Sequence, residues 1–369
     1  MLWVRGTAGG RKWRRIRGRG YGTLHTVPYA EVDEHGLQDA LERIVSDHGL
    51  SGTVRVDRAG RIAFECATGM AHRGLGVPNT PATQFGVASG AKGLTALTVM
   101  TLVERGELHL DTTARSVLGD DLPLIDDRVT VEHLLAHRSG IGDYLDEEVF
   151  TDSDQYVMPV SGHELATTED YVRVLGGHPT KFPPDERFSY SNGGYVVLAL
   201  VAERTTRTPF HDLVEERVCA PAGMHDTAFL RSDELPGRAA VGYIPDDGLR
   251  TNVFHLPVRG SGDGGVYTTT ADVHALWEAF TTGRIVAPET VEEMVRPRSD
   301  VPNESLRCGL GFFIDPRTER LSTHGFDAGV GFVSVHDRRR QITHTVISNK
   351  SRGAWPISQR IDEVVSMWV

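Results

Sequence analysis

Segments typical of β-strands occupy both ends of this chain, and helical segments occupy its middle. Near the start, residues 52–57 and 61–67 are rich in β-branched residues and flank a turn that contains Gly60, which predicts a β-hairpin. Near the end, turns join four further stretches of this kind, at 309–314, 320–323, 330–336 and 341–348. The simplest arrangement is an α+β fold, in which N- and C-terminal strands form one antiparallel sheet flanked by helices, with a helical insertion.

The spacing of apolar residues predicts the helices. They are expected at 35–48, 89–105, 131–137, 168–175, 193–203, 210–218, 271–280 and 355–368, with Pro221 ending the sixth and loops at 69–84 and 231–262. The helix over 89–105 is apolar nearly all round, which indicates a buried central helix. We therefore expect one domain over 31–369, with an α/β part at about 31–95 and 255–369 and a helical part at about 96–254.

Charge is distributed unevenly along the chain. The net charge of −11 argues against general affinity for nucleic acid. Residues 1–20 nevertheless carry seven basic residues and no acidic one, so residues 1–30 are predicted to be a basic, disordered leader. The alternative is a functional segment, either a tether to an anionic partner or a targeting arm.

The sequence shows neither an apolar run long enough for a membrane span nor a secretory signal after the leader arginines. Cys66, Cys219 and Cys308 are widely spaced, as expected of buried thiols in a reducing compartment. A cytoplasmic protein that needs no metal or other cofactor is the expectation, with a small molecule or peptide as its substrate.

Ser89 and Lys92 lie three residues apart at the start of the apolar helix. Positions i and i+3 share a helix face, so the hydroxyl and the amine can meet as a nucleophile and its base. Of the four lysines in the chain, only Lys92 has a serine three residues before it. The alternative is a serine that caps the helix, followed by a surface lysine.

Two further motifs carry candidate site residues. Tyr190 and Asn192 precede the apolar helix over 193–203, where side chains can project into a cleft; a nearby cation would lower the pKa of Tyr190 and favour its phenolate. The alternative is that Asn192 caps that helix above a packed Tyr190. His324 and Gly325 lie in a terminal strand, where a glycine permits close backbone approach and a histidine can donate to a substrate; a strand-end histidine and a turn glycine are the alternative.

Together these motifs resemble the serine β-lactamase and penicillin-binding-protein superfamily, and in particular its branch of class C β-lactamases, D-alanyl-D-alanine carboxypeptidases and family VIII esterases. Segments 130–141 and 264–272 are similar to two further motifs of that branch, and the resemblance runs from about residue 33 to 369. It implies that Ser89 is the acylated nucleophile, that Lys92 assists proton removal, that Tyr190 is the general base and that Asn192 orients Lys92 and the substrate.

The third motif departs from the family pattern of Lys or His, then Thr, Ser or Gly, then Gly. In the preferred alignment Thr323 takes the position of the cation, His324 the middle position and Gly325 that of the glycine, and the N–H of Phe326 joins that of Ser89 in the oxyanion hole. In the other alignment His324 is the cation and Phe326 replaces the glycine. Both lack the lysine with which β-lactamases grip a substrate carboxylate.

The resemblance therefore implies a serine hydrolase of an ester or amide, such as a peptide, a D-amino-acid amide or a β-lactam. An acyltransferase that uses the same acyl-serine is one alternative. A homologue that binds peptides or glycans without catalysis is another.

Overall fold

The computed structural model describes residues 3–4, 14–15, 34–149, 152–245, 247–302 and 304–368. The predicted disordered leader over 1–30 lies outside the described residues, apart from two short paired strands, β1 (Trp3–Val4) and β2 (Arg14–Arg15).

Helices and strands follow the predicted division of the chain. The remaining strands are β3 (Gly52–Arg58), β4 (Arg61–Thr68), β5 (Met70–His72), β6 (Val77–Pro78), β7 (Phe85–Gly86), β8 (Tyr267–Thr268), β9 (Ser299–Asp300), β10 (Arg307–Cys308), β11 (Phe313–Ile314), β12 (Leu321–Asp327), β13 (Val330–Asp337) and β14 (Ile342–Ser348). The helices are α1 (Glu34–Asp47), α2 (Ala91–Glu104), α3 (Ala114–Leu118), α4 (Val131–Leu135), α5 (Val172–Leu175), α6 (Asn192–Thr206), α7 (Phe210–Val214), α8 (Ala220–Ala222), α9 (Thr270–Thr281), α10 (Pro288–Val295) and α11 (Trp355–Met367).

Eight of these strands form one antiparallel sheet in the order β4-β3-β14-β13-β12-β11-β10-β9. The two ends of the chain meet where β14 pairs with β3, with Val346 opposite Val54. This pairing confirms the predicted α+β fold, in which N- and C-terminal strands share one antiparallel sheet.

Apolar side chains cover both faces of the sheet. On one face, α1 and α11 bury Leu41 and Ile361 against Val54 and Val346. On the other, α2, α6 and α9 belong to a larger core. Helix α2 packs on α6 and α7, and its residues 91–102 are all buried, as its apolar composition predicts.

Three local predictions are wrong. Residues 69–84 were expected to be a loop but contain β5 and β6. Of the strand expected over 309–314, only β11 at its end is formed, because Gly311 has a φ of +90° and turns the chain between β10 and β11. Pro221 does not end the sixth helix: a π-helical turn at Glu215–Cys219 leads into α8, where Pro221 lies in the first turn and its missing N–H costs little.

The predicted boundaries between an α/β part and a helical part stay a prediction. In the described part of the chain, no helix has the length and apolar character needed to cross a bilayer.

Candidate active site

Ser89 lies in a 3-10 turn, Ala88–Gly90, immediately before α2. The residue at the N-cap of α2 is Gly90, and no side chain caps this helix, so the hydroxyl of Ser89 is not a helix cap. Ala88 has a φ of +46°, a conformation that is strained for a residue with a Cβ. Such strain is often found at functional sites, and here it accompanies the candidate nucleophile.

Lys92 is buried, with 4% of its surface exposed, which excludes the surface-lysine alternative. Its Nζ lies 2.9 Å from Ser89 Oγ, 2.8 Å from Asn192 Oδ1 and 2.7 Å from the carbonyl oxygen of Asp263. Burial lowers the pKa of Lys92, and the negative charges of Asp263 and Glu147 act in the opposite direction. The structure thus brings together Lys92, Asn192 and Asp263, which lie far apart in the sequence.

These three contacts orient the amine. The carbonyl oxygens of Asn192 and Asp263 can only accept hydrogen bonds, so each takes one N–H of Lys92. A neutral amine has two N–H groups and one lone pair, and the lone pair then points at the third neighbour, the hydroxyl of Ser89. The arrangement therefore allows Lys92 to accept the proton of Ser89 directly.

Tyr190 also lies beside Ser89. A hydrogen bond links the hydroxyls of Tyr190 and Ser89, and the Tyr190 ring stacks on the ring of His137 at a centroid distance of 4.5 Å. Nζ of Lys92 lies 4.9 Å from the centroid of the Tyr190 ring.

The expectation that nearby positive charge lowers the pKa of Tyr190 is not met. Burial is the largest effect on this phenol and raises its pKa well above the usual value, and the charge of Glu147 adds to the rise. The hydrogen bond to Ser89 acts against the rise without reversing it. Tyr190 is therefore a neutral phenol in the resting protein, suited to pass a proton between neighbours.

Asn192 is not the helix cap that the alternative reading required. The N-cap of α6 is Ser191, whose Oγ accepts from the N–H of Gly194 at 2.9 Å and donates to Asp143 Oδ2 at 2.9 Å. Asn192 is thereby free to face Lys92, and its Nδ2 donates to the carbonyl oxygen of Leu145 at 2.9 Å. This second bond fixes the amide with its oxygen toward Lys92.

The edge of β12 lies against the nucleophile turn. Its partner β11 pairs with β12 only as far as Ser322, so the edge from Thr323 onward is left to face the 3-10 turn Ala88–Gly90. A Cβ on Gly325 would overlap the carbonyl oxygen of Val87 and lie 3.0 Å from the nitrogen of Gly90. Gly325 is therefore the position of close approach, in the middle of a strand rather than in a turn.

Strand alternation separates the two alignments of the third motif. Thr323 lies on the same face of β12 as Gly325, and both Thr323 and His324 are among the residues that line a small cavity at Ser89 and Tyr190. His324 points to the opposite face, where its ring stacks on Phe313 at 5.1 Å and contacts Trp355 at 4.5 Å. Burial lowers the pKa of His324 to about 3, so it is not a cation. These positions favour the alignment with Thr323 in the place of the cation, in which the N–H of Phe326 is the second oxyanion donor.

Sequence reasoning gave no role to Tyr144 or Asp263, which reach the site from loops. The detectable signal is the segment Gly260–Gly265, in which four of six residues are glycine around Asp263. A Cβ on Gly262 would overlap the carbonyl oxygen of Tyr195, and one on Gly264 would lie 3.4 Å from the backbone of Ala88. The glycines thus let this loop pack directly on α6 and on the nucleophile turn. Across the described ranges, no group of three or more His, Cys, Asp or Glu side chains is arranged to hold a metal ion.

Comparison with known proteins places this arrangement in a family. A family model described as Beta-lactamase matches residues 37–364. This chain belongs to the Beta-lactamase family. The predicted relationship to β-lactamases and penicillin-binding proteins is confirmed.

Individual relatives support this family assignment. Esterase EstB of Burkholderia gladioli is 31% identical over 307 residues, which cover 75% of this chain and 77% of EstB. The crystal structure of a penicillin-binding protein from Bacillus halodurans is 34% identical and superposes with a TM-score of 0.83 over 88% of this chain and 99% of that one. A D-aminopeptidase of Brucella anthropi is 29% identical, and the match covers 68% of this chain but only 46% of that enzyme. The protein is thus a β-lactamase-like serine hydrolase, from a family whose members differ in substrate.

Proposed function

We propose that this protein hydrolyses carboxylic esters or amides through a covalent acyl-Ser89 intermediate. The observation that carries the proposal is the buried amine of Lys92, which two carbonyl oxygens hold 2.9 Å from Ser89 Oγ. In its neutral form this amine directs its lone pair at that hydroxyl. A serine hydroxyl is a weak nucleophile until a positioned base removes its proton.

The reaction follows from this geometry. Ser89 Oγ attacks the carbonyl carbon of the substrate while its proton moves to Lys92, which becomes an ammonium. The negative charge on the substrate oxygen is stabilised by the backbone N–H groups of Ser89 and Phe326. When the bond to the leaving group breaks, that group takes a proton from Lys92 through the hydroxyl of Tyr190. Water then attacks the acyl group and gives a proton to Lys92, and Lys92 passes that proton to Ser89 Oγ as the bond between Ser89 and the acyl group breaks.

The charges around the site favour a substrate without a carboxylate. Among the residues that line the cavity at Ser89 there is no arginine, and Lys92, the one lysine, serves as the base rather than as a fixed cation. Four carboxylates, Asp143, Glu147, Asp263 and Asp327, lie close enough to raise the pKa of Lys92. Thr323 stands where a cation would bind a substrate carboxylate. A neutral ester or amide therefore fits this site better than a penicillin or a peptide with a free C-terminus.

Intact-protein mass spectrometry tests the proposal. The wild-type protein is incubated with a fluorophosphonate, benzylpenicillin, a panel of short-chain esters and a panel of D-amino-acid amides. We expect a stoichiometric fluorophosphonate adduct that maps to Ser89 and is absent from Ser89→Ala, and turnover of esters or amides faster than of penicillin. A folded wild-type protein that forms no adduct with any of these reagents would refute the proposal. Added amines or alcohols that divert the acyl group from water would instead identify an acyltransferase.

A further inference from the structure

A buried carboxylate lies beside Lys92 and has no role in the reaction described above. Asp263 has 8% of its surface exposed, and its backbone carbonyl accepts one of the Lys92 hydrogen bonds. Its side chain is held separately, since Oδ2 accepts a hydrogen bond of 2.5 Å from the hydroxyl of Tyr144. Within the described residues, no ion pair to Asp263 is closer than 4 Å. One short neutral hydrogen bond is thus its main support.

Removing a carboxylate from water is costly unless a positive charge or several hydrogen bonds compensate. Burial raises the pKa of Asp263, whereas Lys92 and the hydrogen bond from Tyr144 both oppose that rise. Asp263 is likewise the carboxylate with the largest opposing effect on the lowered pKa of Lys92. The charged forms of Asp263 and Lys92 therefore stabilise each other.

We propose that Asp263 is a positioning residue of the reaction, whose carboxylate stabilises the ammonium that forms on Lys92 when Ser89 gives up its proton, and that Tyr144 holds this carboxylate in place. The inference rests on the proposed function, because it requires Lys92 to accept that proton. Asp263 would act on an amine as the buried aspartate of a Ser-His-Asp triad acts on its imidazole, which it orients and stabilises when charged.

The other three carboxylates near Lys92 accept hydrogen bonds from other groups. Asp143 accepts from Ser191 Oγ and from the N–H groups of Gly193 and Leu145. Glu147 is exposed and accepts from Asn192 Nδ2 at 3.3 Å. Asp327, at the end of β12, accepts from the N–H of Ala328. Of the four, only Asp263 contacts Lys92 through its own backbone.

The rings around Lys92 supply no competing charge. Tyr190 and Tyr195 lie with their centroids 4.9 and 5.7 Å from Nζ. Burial raises the pKa of both phenols well above the usual value, and it lowers that of His137 well below its own. All three shifts favour the neutral form of the ring, so Asp263 and the three carboxylates above set the field at this amine.

The test measures the rate of fluorophosphonate labelling at Ser89 between pH 4 and 10, by intact mass, in the wild-type protein and in Asp263→Asn. The amide that this substitution introduces has nearly the same shape as the carboxylate and can still accept from Tyr144, but it carries no charge. Without the charge, Lys92 loses its proton at lower pH and becomes a weaker base. We expect the acidic limb of the profile to move to lower pH by about one unit or more, and the plateau rate to fall by about tenfold or more, since one pKa unit is a tenfold change in basicity.

A second variant keeps the inference testable if Asp263→Asn does not fold. Tyr144→Phe removes the hydrogen bond that favours the charged form of Asp263, so the limb should move in the same direction by a smaller amount. Thermal unfolding of each variant separates a loss of fold from a loss of rate. A folded Asp263→Asn protein with an unshifted limb would overturn the inference while leaving the proposed function intact; if that variant does not fold, an unshifted limb in Tyr144→Phe decides the same way. A wild-type protein that is not labelled at Ser89 would overturn both.

Discussion

Gly325 lies directly against the carbonyl group of Val87, two residues before the candidate nucleophile. A Cβ at this position would overlap the Val87 oxygen, which belongs to backbone and cannot rotate away. The nitrogen of Gly90 would lie 3.0 Å from the same Cβ, so both ends of the turn that carries Ser89 depend on the absence of this atom.

Gly325→Ala should therefore move the Ser89 turn away from the edge of β12. A displacement of about 1 Å in a catalytic group can cost about a hundredfold in rate. We expect fluorophosphonate labelling to slow by about that factor, together with a lower melting temperature, because an added methyl group in a packed region is itself destabilising.

Gly86→Ala is the matched control for this change. Gly86 also lies close to the turn, but a Cβ there would meet its nearest neighbour at 3.7 Å, an ordinary contact. The Gly86→Ala protein should therefore have a labelling rate and a melting temperature close to those of the wild-type protein. Equal effects from the two substitutions would show that the contact between Gly325 and Val87 is not what positions Ser89.

Lys92→Arg tests whether the charge of Lys92 or its ability to lose a proton is what the site needs. A guanidinium remains protonated at all accessible pH values and has no lone pair to offer Ser89. We expect labelling and ester hydrolysis to fall by about a thousandfold, in line with the loss of a general base. Lys181→Arg is the control, because Lys181 pairs with Asp146 and Glu148 as a cation, a role that arginine can also fill. An active Lys92→Arg protein would contradict the proposed role of the amine.

The sequence can indicate the nucleophile end of the proposed site because its residues lie in short local motifs. Ser89 and Lys92 are one helical turn apart, and Tyr190 and Asn192 lie at the start of one helix, so each pair is visible without knowledge of the fold. The long apolar helix α2 is equally visible, because its burial leaves an uninterrupted apolar composition.

The remaining features depend on packing between distant segments. Asp263 reaches Lys92 across 171 residues of chain, and the glycines around it indicate a closely packed loop without showing that its carboxylate is buried near an amine. Whether Thr323 or His324 faces the cleft depends on the phase of β12 relative to α2, which only the packing of Gly325 on Val87 determines. The neutral state of Tyr190 follows from its burial, which the Tyr-x-Asn motif does not reveal.

Thr323→Lys should change substrate preference. Thr323 is buried beside the cavity at Ser89, on the face of β12 that Gly325 also occupies, so a lysine there could extend into the cleft. Adding a cation to a site rich in carboxylates should favour anionic substrates. We expect the ratio of kcat/KM for an ester with a carboxylate group to that for its uncharged analogue to rise by about tenfold, the effect of one modest charge-assisted hydrogen bond.

Thr323→Ser separates charge from size in that experiment. It keeps a hydroxyl at position 323, adds no charge and should leave the ratio unchanged. A ratio that stays constant in Thr323→Lys while the protein remains folded would mean that this position does not face the acyl or leaving group of the substrate.

Asp143 should make the stability of the protein depend on pH. Burial raises the pKa of this carboxylate from 3.8 to about 6, and the hydrogen bonds from Leu145, Gly193 and Ser191 only partly offset it. A carboxyl group whose pKa is higher in the folded state favours folding when protonated. Its stabilising contribution is complete below about pH 4 and is lost as the pH rises through 6. Asp143→Asn, which stays neutral, should therefore raise the free energy of unfolding relative to the wild type more at pH 8 than at pH 4.

Asp126→Asn provides a control of opposite sign. Hydrogen bonds from Arg128 lower the pKa of Asp126 to about 2, so its contribution is present above pH 4 and is lost as the pH falls through 2. This substitution should destabilise the protein at pH 8 and have less effect at pH 3, and the effect should be small because the pair is exposed. Urea unfolding of both variants across this range measures the two slopes. If Asp143→Asn showed the same pH trend as Asp126→Asn, Asp143 would be ionised and stabilising in the folded protein, and burial would not be the dominant influence on it.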